Sequence, residues 1–213
     1  MGLVYEHHDN REDWLAHRGN HIGASEAGAI LGVGFQSKID LWKIKTGRMT
    51  PKDLSDVEAV VYGNRAEEAL RQLFIAKHPE LYLDYRPYDF VYQSERPWLR
   101  ATLDGELVDI ESLDRGILEI KTTTCLSKAD WAKWNGRIPD GYLAQLSHQL
   151  IATGFSFAYL FAELMGANGN SEIRSYYFTR EDMQDNMAYL LGEEEKFWEC
   201  VVTDKMPSVP LRL

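Results

Sequence analysis

Between Asp56 and about Lys77 apolar positions fall three and four residues apart, at Val60, Gly63, Leu70 and Phe74, and Pro79 stops the run. That is the spacing of one face of a long helix. Shorter helical patterns flank it. Asp9 or Asn10 caps a helix to about Arg18 that Gly19 ends, and Ser25 with Glu26 precedes a small-residue run that reads as another helix start. Ser37 caps SKIDLWKIKTG, closed by Gly47, with Ile39, Trp42 and Ile44 inward and the lysines outward. Leu126 to Asn135 starts a further helix. GYLAQLSHQLIATG, opened by Asp140 or Gly141 and closed by Gly154, packs through Leu143, Leu146 and Leu150. A last helix begins at Thr179 or Arg180 and buries Met183, Met187, Leu190 or Leu191, Phe197 and Val201.

Alternation takes over elsewhere. Tyr88–Gln93 and Leu99–Ile110 read as strands, with Gly105 marking a bulge or a close backbone approach. The turn Glu111–Gly116 returns the chain as a third strand, Ile117–Thr122. Phe155–Leu164 is a buried strand run, paired as a hairpin with Ile173–Phe178 across the loop GANGNSE. The order predicts an α/β fold with a central mixed β-sheet flanked by helices. It reads as one domain over 1–213, with a helical part at about 9–78, a sheet and helix at about 86–154, and a hairpin and helix at about 155–213. No repeat, linker or low-complexity segment interrupts it.

Composition narrows the class. The chain has 213 residues, 45% of them hydrophobic and 26% charged, as a globular protein with a full core does. No apolar run approaches the roughly 18 to 20 residues of a membrane span, and the acidic opening MGLVYEHHDNRED is no secretory signal. Position 6 is Glu, which breaks the myristoylation pattern after Gly2. Cys125 and Cys200 stand apart, so four-cysteine metal sites are excluded and a reducing, cytoplasmic setting is expected. A net charge of −10 argues against an indiscriminate DNA coat. The charge is uneven, however. Glu181–Glu199 carries seven acids against one lysine, and Gln36–Lys52 carries five basic residues against Asp40, so one basic groove on an acidic protein stays open.

The candidate chemistry converges on Leu99–Thr124. Glu119 and Lys121 share one face of their strand while Leu118 and Ile120 share the other, and Asp104 on the adjacent strand reaches the same cleft. Two like charges about 4 Å apart repel by roughly 4 kcal/mol at an effective dielectric near 20, so the two acids would sit together only around a cation. The alternative is a solvated Glu–Lys pair on an exposed strand. Glu67 falls on the buried stripe of the long helix, which calls for a metal or for a salt bridge, to Arg65 or Arg71. Tyr142, Gln145 and Gln149 line a second face of their helix, and two glutamines on a mostly apolar helix suggest a polar pocket. Arg18 and Ser25 read either as an anion site at a helix start or as a surface arginine and an ordinary cap. Trp131 and Trp134, set among Lys128, Lys133 and Arg137, read as nucleic-acid contacts or as core. His17 and His21 have helical ligand spacing, but Gly19 intervenes and no third ligand is near in sequence, so they read as non-ligands. His148 reads as a helix-surface residue.

Asp104 on one strand and Glu119-Ile120-Lys121 on the next resemble the PD-(D/E)xK nuclease fold. WLAHRGNHIGASEAGAILG, YGNRAEEALRQLF, ATLDGE with ILEIKTT, and YLAQLSHQLIATG resemble, in family order, the motifs of lambda-type (YqaJ-like) phage recombination exonucleases. They span roughly Trp14 to Gly154, about two-thirds of the chain. Two departures stand out: Thr102-Leu103-Asp104 replaces a literal Pro-Asp, and Tyr62 stands where Trp often precedes the motif glycine. Neither removes a needed group. The resemblance implies a Mg²⁺-dependent enzyme (two ions, Mn²⁺ a substitute) that degrades one strand of double-stranded DNA from its 5′ end. It implies a phage or prophage origin in a bacterial host cell, a homotrimer and a single-strand annealing partner. Position by position it makes Asp104, Glu119 and the Ile120 carbonyl metal ligands, with Glu67 near the second ion. Lys121 orients and helps deprotonate the attacking water, its charged form disfavoured beside the ions. Gln145 and Tyr142 are active-site helix residues, and Arg18 with Ser25 holds the 5′-phosphate. The other readings are an endonuclease or junction resolvase of the same fold, and a non-catalytic DNA-end binding module.

Overall fold

The computed structural model describes residues 2–208. The chain runs β1 (Leu3–Glu6), α1 (Arg11–His17), β2 (Ile22–Gly23), α2 (Ala27–Leu31), α3 (Lys38–Lys45) and α4 (Glu58–Lys77). Next come β3 (Leu81–Asp84), β4 (Phe90–Gln93), β5 (Leu99–Arg100), β6 (Gly105–Asp109) and β7 (Arg115–Cys125). It closes with α5 (Lys128–Ala132), α6 (Asp140–Thr153), β8 (Phe157–Gly166), β9 (Ser171–Thr179) and α7 (Gln184–Val202). The central sheet has the order β3-β6-β7-β8-β9. β7 and β8 pair in parallel across the α5–α6 crossover, and the other neighbours pair antiparallel. The expected mixed sheet flanked by helices is therefore the observed architecture.

The two faces of β7 do different work. Leu118 and Ile120 point toward α4 and pack with Leu70, Phe74, Leu107 and Phe161. Ile117 points the other way, into a larger core with Leu146 and Leu150 of α6 and Ala158, Leu160 and Leu164 of β8. Strand alternation then sends Glu119 and Lys121 toward α6. Gly63 lets α4 lie close on β7, since a Cβ there would stand 3.0 Å from Thr122 Oγ1. Local signals set the helix ends: Asn10 accepts from the Asp13 N–H, Ser37 from the Asp40 N–H, and Gly154 ends α6 at φ +77°. No helix among the described residues is long and apolar enough to cross a membrane.

Several expectations are corrected. Leu99–Ile110 is two strands with a bend between them, because β5 pairs in parallel with β2 while β6 joins the central sheet. Tyr88–Gln93 does not head the catalytic meander; β4 pairs with β1 in a separate two-stranded sheet, and Leu81–Asp84 takes the place beside β6. The helix expected from Thr179 begins at Gln184, since Thr179 and Asp182 form a turn first, with the Thr179 hydroxyl donating to Asp182 at 2.6 Å. On α3 it is Leu41 that is buried with Trp42, and Lys45 is turned inward with its side chain 1% exposed, paired to Glu26. His148 is fully buried, not a surface residue. Its Nδ1 lies 2.6 Å from Glu194 Oε1, and its Nε2 lies 2.8 Å from the Arg100 carbonyl. Glu194 is also fully buried, so α7 hides one of its acids from solvent.

Candidate functional site

The bend between β5 and β6 carries Asp104. Its main-chain carbonyl accepts from Arg71 Nε at 2.8 Å, and its Oδ2 accepts the Ile120 N–H at 2.8 Å. That second bond ties the acid to the strand that bears Glu119 and Lys121. Gly105 beside it is closely packed, since a Cβ would stand 3.1 Å from Leu83 and 3.3 Å from Leu118 and would push those side chains aside. Its role is the close approach anticipated from the sequence.

Glu119 is 2% exposed and is held from three sides. Gln145 and Lys121 donate to its Oε1, and Gln149 donates to Oε2 at 2.5 Å. The ammonium of Lys121 also lies 5.3 Å from the centre of the Tyr142 ring. Residues Gln145 and Gln149 are one helical turn apart on α6, which is why the glutamine face of an otherwise apolar helix pointed to a polar pocket. On the other side α4 contributes Glu67, paired with Arg71. Glu67, Asp104, Ile120 and Lys121 line one open cleft of about 220 Å³ with Val60, Gly63 and Thr122 among its walls. The structure thus brings Glu67, Asp104, Glu119, Ile120, Lys121, Tyr142 and Gln145 together.

The electrostatics of this cleft are lopsided. Three carboxylates face Lys121 and Arg71, and Arg71 is shared with Glu68 as well. Burial, then the charge of Glu119, holds the Asp104 carboxyl well above the usual carboxylate range. Burial also raises Glu67, against the pull of Arg71 and with the push of Glu119. Burial disfavours the Lys121 charge, but Glu119 and Asp104 outweigh it and hold the ammonium protonated above its ordinary range. The expected weakening of that charge was argued for a cleft filled with cations; the carboxylates alone act in the opposite direction. Hard oxygen donors, partly desolvated and short of positive charge, fit a hard divalent cation such as Mg²⁺.

Arg18 and Ser25 form a second feature outside that cleft. Arg18 Nη2 donates to Ser25 Oγ at 3.1 Å, and its guanidinium lies 4.7 Å from the Trp14 ring centre. Trp14 Nε1 in turn donates to Thr102 at 3.1 Å, two residues before Asp104. The buried Lys45 donates to the Arg18 carbonyl at 2.9 Å. Ser25 is not a helix cap: it lies inside a single turn of 3₁₀ helix, Ala24–Glu26, whose cap position is Gly23. The helix that follows has only five residues, so the anion argument rests on Arg18 and the hydroxyl, not on a helix dipole.

Two contributors do more in the structure than the sequence assigns them. Arg71 bonds Glu67, Glu68 and the Asp104 backbone, and stacks 3.6 Å from the Tyr85 ring centre. Its only early signal was the four-residue spacing from Glu67. Gln149 was placed on the right face, yet its direct bond to Glu119 needs the sheet to be seen. Trp134 is core at 3% exposure, packed on Tyr142 and Tyr176.

A match to the YqaJ-like viral recombinase domain covers residues 13–156. The uncharacterized protein YqaJ of Bacillus subtilis (strain 168) is 30% identical in a 175-residue alignment that covers 75% of this chain and 48% of that protein. The chain therefore spans about half the length of this curated relative. Among solved structures, an alkaline exonuclease (LHK-Exo) from Laribacter hongkongensis superposes with a TM-score of 0.67 at 15% identity, over 91% of this chain and 94% of that one. A phage related exonuclease from Haemophilus somnus 129PT gives 0.54 at 13% identity, over 86% and 96%. At such identities these two likenesses concern the fold. With the domain match enclosing Asp104, Glu119, Lys121 and both glutamines of α6, the chain belongs to the YqaJ-like viral recombinase family.

Proposed function

We propose that the cleft hydrolyses phosphodiester bonds at the ends of double-stranded DNA, with Mg²⁺, removing one strand in the 5′→3′ direction. The observation that carries this reading is Glu119, buried and fixed by Gln145, Gln149 and Lys121 beside Asp104 and Glu67. A buried carboxylate with every donor pointed at it is a poor solvated surface and a good ligand platform. The reading is supported by LHK-Exo, an alkaline exonuclease that has also been solved in complex with dAMP.

Asp104, Glu119, the Ile120 carbonyl and Glu67 are the groups that would hold the ions, two in number by family likeness, with Mn²⁺ able to replace Mg²⁺. When bound, divalent ions neutralise phosphate charge and lower the pKa of a coordinated water. The chain supplies the rest. Gln145 and Gln149 keep Glu119 from rotating, so its oxygens stay aimed. Lys121 is placed to orient the attacking water and, once its ammonium has given a proton to solvent, to take the water's proton. Arg18 and Ser25 offer a bidentate guanidinium and a hydroxyl to a terminal 5′-phosphate, which sets the direction of entry. A homotrimer, a single-strand annealing partner and action in the cytoplasm of a phage-carrying bacterium complete the proposal.

Strand-specific end-labelled duplexes, digested with and without Mg²⁺, test it. The expected result is Mg²⁺-dependent loss of label from the 5′ end of linear DNA and none from covalently closed circles. Cutting of closed circles makes the enzyme an endonuclease, and full activity after Lys121→Ala refutes the mechanism. A stable monomer by light scattering would remove the trimer.

A further inference from the structure

The structure assigns a second metal site, for a borderline cation of the Zn²⁺ type, to His8, Asp13 and His17. It lies apart from the carboxylate cleft, between the exit of β1 and the outer face of α1. One ligand atom from each of the three residues lies within 4.8 Å of the others. Asp13 and His17 stand four apart on α1, so both project from one helix face. His8 Nδ1 is 2.8 Å from Asp13 Oδ2; His17 Nδ1 is 3.5 Å from Asp13 Oδ1 and 2.9 Å from the Asp13 main-chain carbonyl, a bond it gives up to ligate through that nitrogen. Ligand atoms arranged tetrahedrally around Zn²⁺ at about 2.0–2.2 Å stand roughly 3.3–3.6 Å apart. The His8 contact is shorter than that and the His17 contact falls within it, each to a different oxygen of Asp13, and all three ligand atoms lie within 4.8 Å of one another. The half-exposed His17 ring can turn to aim its ligand nitrogen at a shared point with His8 and Asp13, leaving the fourth position for a water.

His8 supplies the independent reason to place a cation here. It is 5% exposed and has a carboxylate at both ring nitrogens: Asp13 at Nδ1, and Glu6 Oε1 3.3 Å from Nε2. Nε2 itself has no hydrogen-bond partner among the described residues. A neutral imidazole donates from one nitrogen only, so two flanking carboxylates call for a second cationic group on this ring, a proton or a metal. A metal at Nδ1 meets that need: Nδ1 and Asp13 ligate it, and the Nε2 proton belongs to Glu6. Glu6 is already oriented for that task, its Oε1 accepting from Arg100 at 2.8 Å and its Oε2 from Tyr92 at 3.2 Å. Carboxylate, imidazole and metal in line is the arrangement that fixes a histidine ligand's tautomer. Two imidazoles and one carboxylate favour Zn²⁺ and its neighbours over Mg²⁺, whereas the all-oxygen cleft favours the reverse.

The consequence reaches Arg18, the residue after His17. A metal here staples the C-terminal turn of α1 to the end of β1, and so fixes the backbone that presents Arg18 to Ser25. Only this consequence rests on the proposed phosphate role of Arg18; the metal site stands without it.

The test uses the full chain without a polyhistidine tag, stripped of metal, and titrated with Zn²⁺ against a chromophoric chelator and with Co²⁺ by visible absorption. The expected result is one equivalent of Zn²⁺ whose affinity survives Glu119→Gln and falls by at least tenfold in His17→Gln. The intense bands of tetrahedral Co²⁺ should follow the same pattern. His17 is half-exposed, so His17→Gln should keep its melting temperature without metal; if it does not, Asp13→Asn, also half-exposed, serves as the ligand-loss variant. Co²⁺ bands that vanish in Glu119→Gln and persist in His17→Gln overturn the assignment. So does a His8 ring that ¹⁵N shifts show to be an imidazolium in the presence of saturating Zn²⁺.

Discussion

Replacing Gln149 with leucine removes one amide from a buried position at nearly constant volume. Its Nε2 is the one donor to Glu119 Oε2 among the described residues, whereas Oε1 keeps both Gln145 and Lys121. A hydrogen bond to a charged group contributes about 1.5–3 kcal/mol, and the cost of leaving a buried carboxylate oxygen bare is of that order. For a chain of this length 1 kcal/mol moves the melting temperature by about 2–4 °C, so the raw expectation is a loss of about 3–12 °C. One term works the other way. Gln149 Oε1 is itself buried without a partner among the described residues, and leucine removes that penalty. The lower part of the range, about 3–6 °C, is therefore the expected loss in metal-free protein.

The same variant should bind the catalytic cation more weakly. A group that orients a ligand, rather than ligating, typically contributes 10–100-fold in metal affinity or activity, so the Mg²⁺ concentration for half-maximal digestion should rise by about that factor. The assay is a pair of thermal scans, with and without saturating MgCl₂, alongside the Mg²⁺ dependence of end-labelled digestion. Because a bound cation would satisfy Oε2, the stability deficit should narrow when Mg²⁺ is present. A deficit that Mg²⁺ leaves unchanged would reduce Gln149 to packing. Parental melting and a parental Mg²⁺ curve together would refute the account of Glu119 given above.

Arg18→Ala should abolish discrimination between 5′-phosphate and 5′-hydroxyl ends and raise KM for phosphorylated duplex by about tenfold, the effect of roughly 1.4 kcal/mol of charge-assisted bonding; equal rates on both ends in the parent would retire the pocket. His148 gives a pH signature. Burial opposes its charge, but Glu194 and the Arg100 carbonyl outweigh burial and raise its pKa above the ordinary value, with Glu26 adding to the same sign. The neighbouring His21 is pushed by burial down to about 2 and stays neutral throughout. A raised histidine stabilises fully below about pH 6.5 and loses that contribution as pH climbs through its folded value. Urea denaturation across pH should therefore show the parent losing stability above that point while His148→Gln follows a flatter curve; parallel curves would refute it.

How much of this was readable beforehand depends on whether a pattern is local. Helix ends set by Asn10, Ser37 and Gly154 were legible because a cap is decided within three or four residues. The Glu119–Lys121 face was legible because strand alternation fixes it once Leu118 and Ile120 are known to be buried. Pairing was not legible. Tyr88–Gln93 alternates as convincingly as Leu81–Asp84, and only the choice of partner, β1 against β6, separates an accessory ribbon from the catalytic sheet. Buried polar groups were misread for the same reason. His148 and Lys45 look like surface residues on their own helices, and each is buried only because a carboxylate from a distant segment meets it, Glu194 from α7 and Glu26 from the turn before α2. His17 follows the same rule with a different outcome. Its four-residue partner is not His21, beyond the glycine, but Asp13 on the preceding turn, and the third member, His8, arrives from outside the helix. Ligand spacing within one helix therefore identifies at most two donors, and whether they form a site depends on what the neighbouring strand delivers to that face.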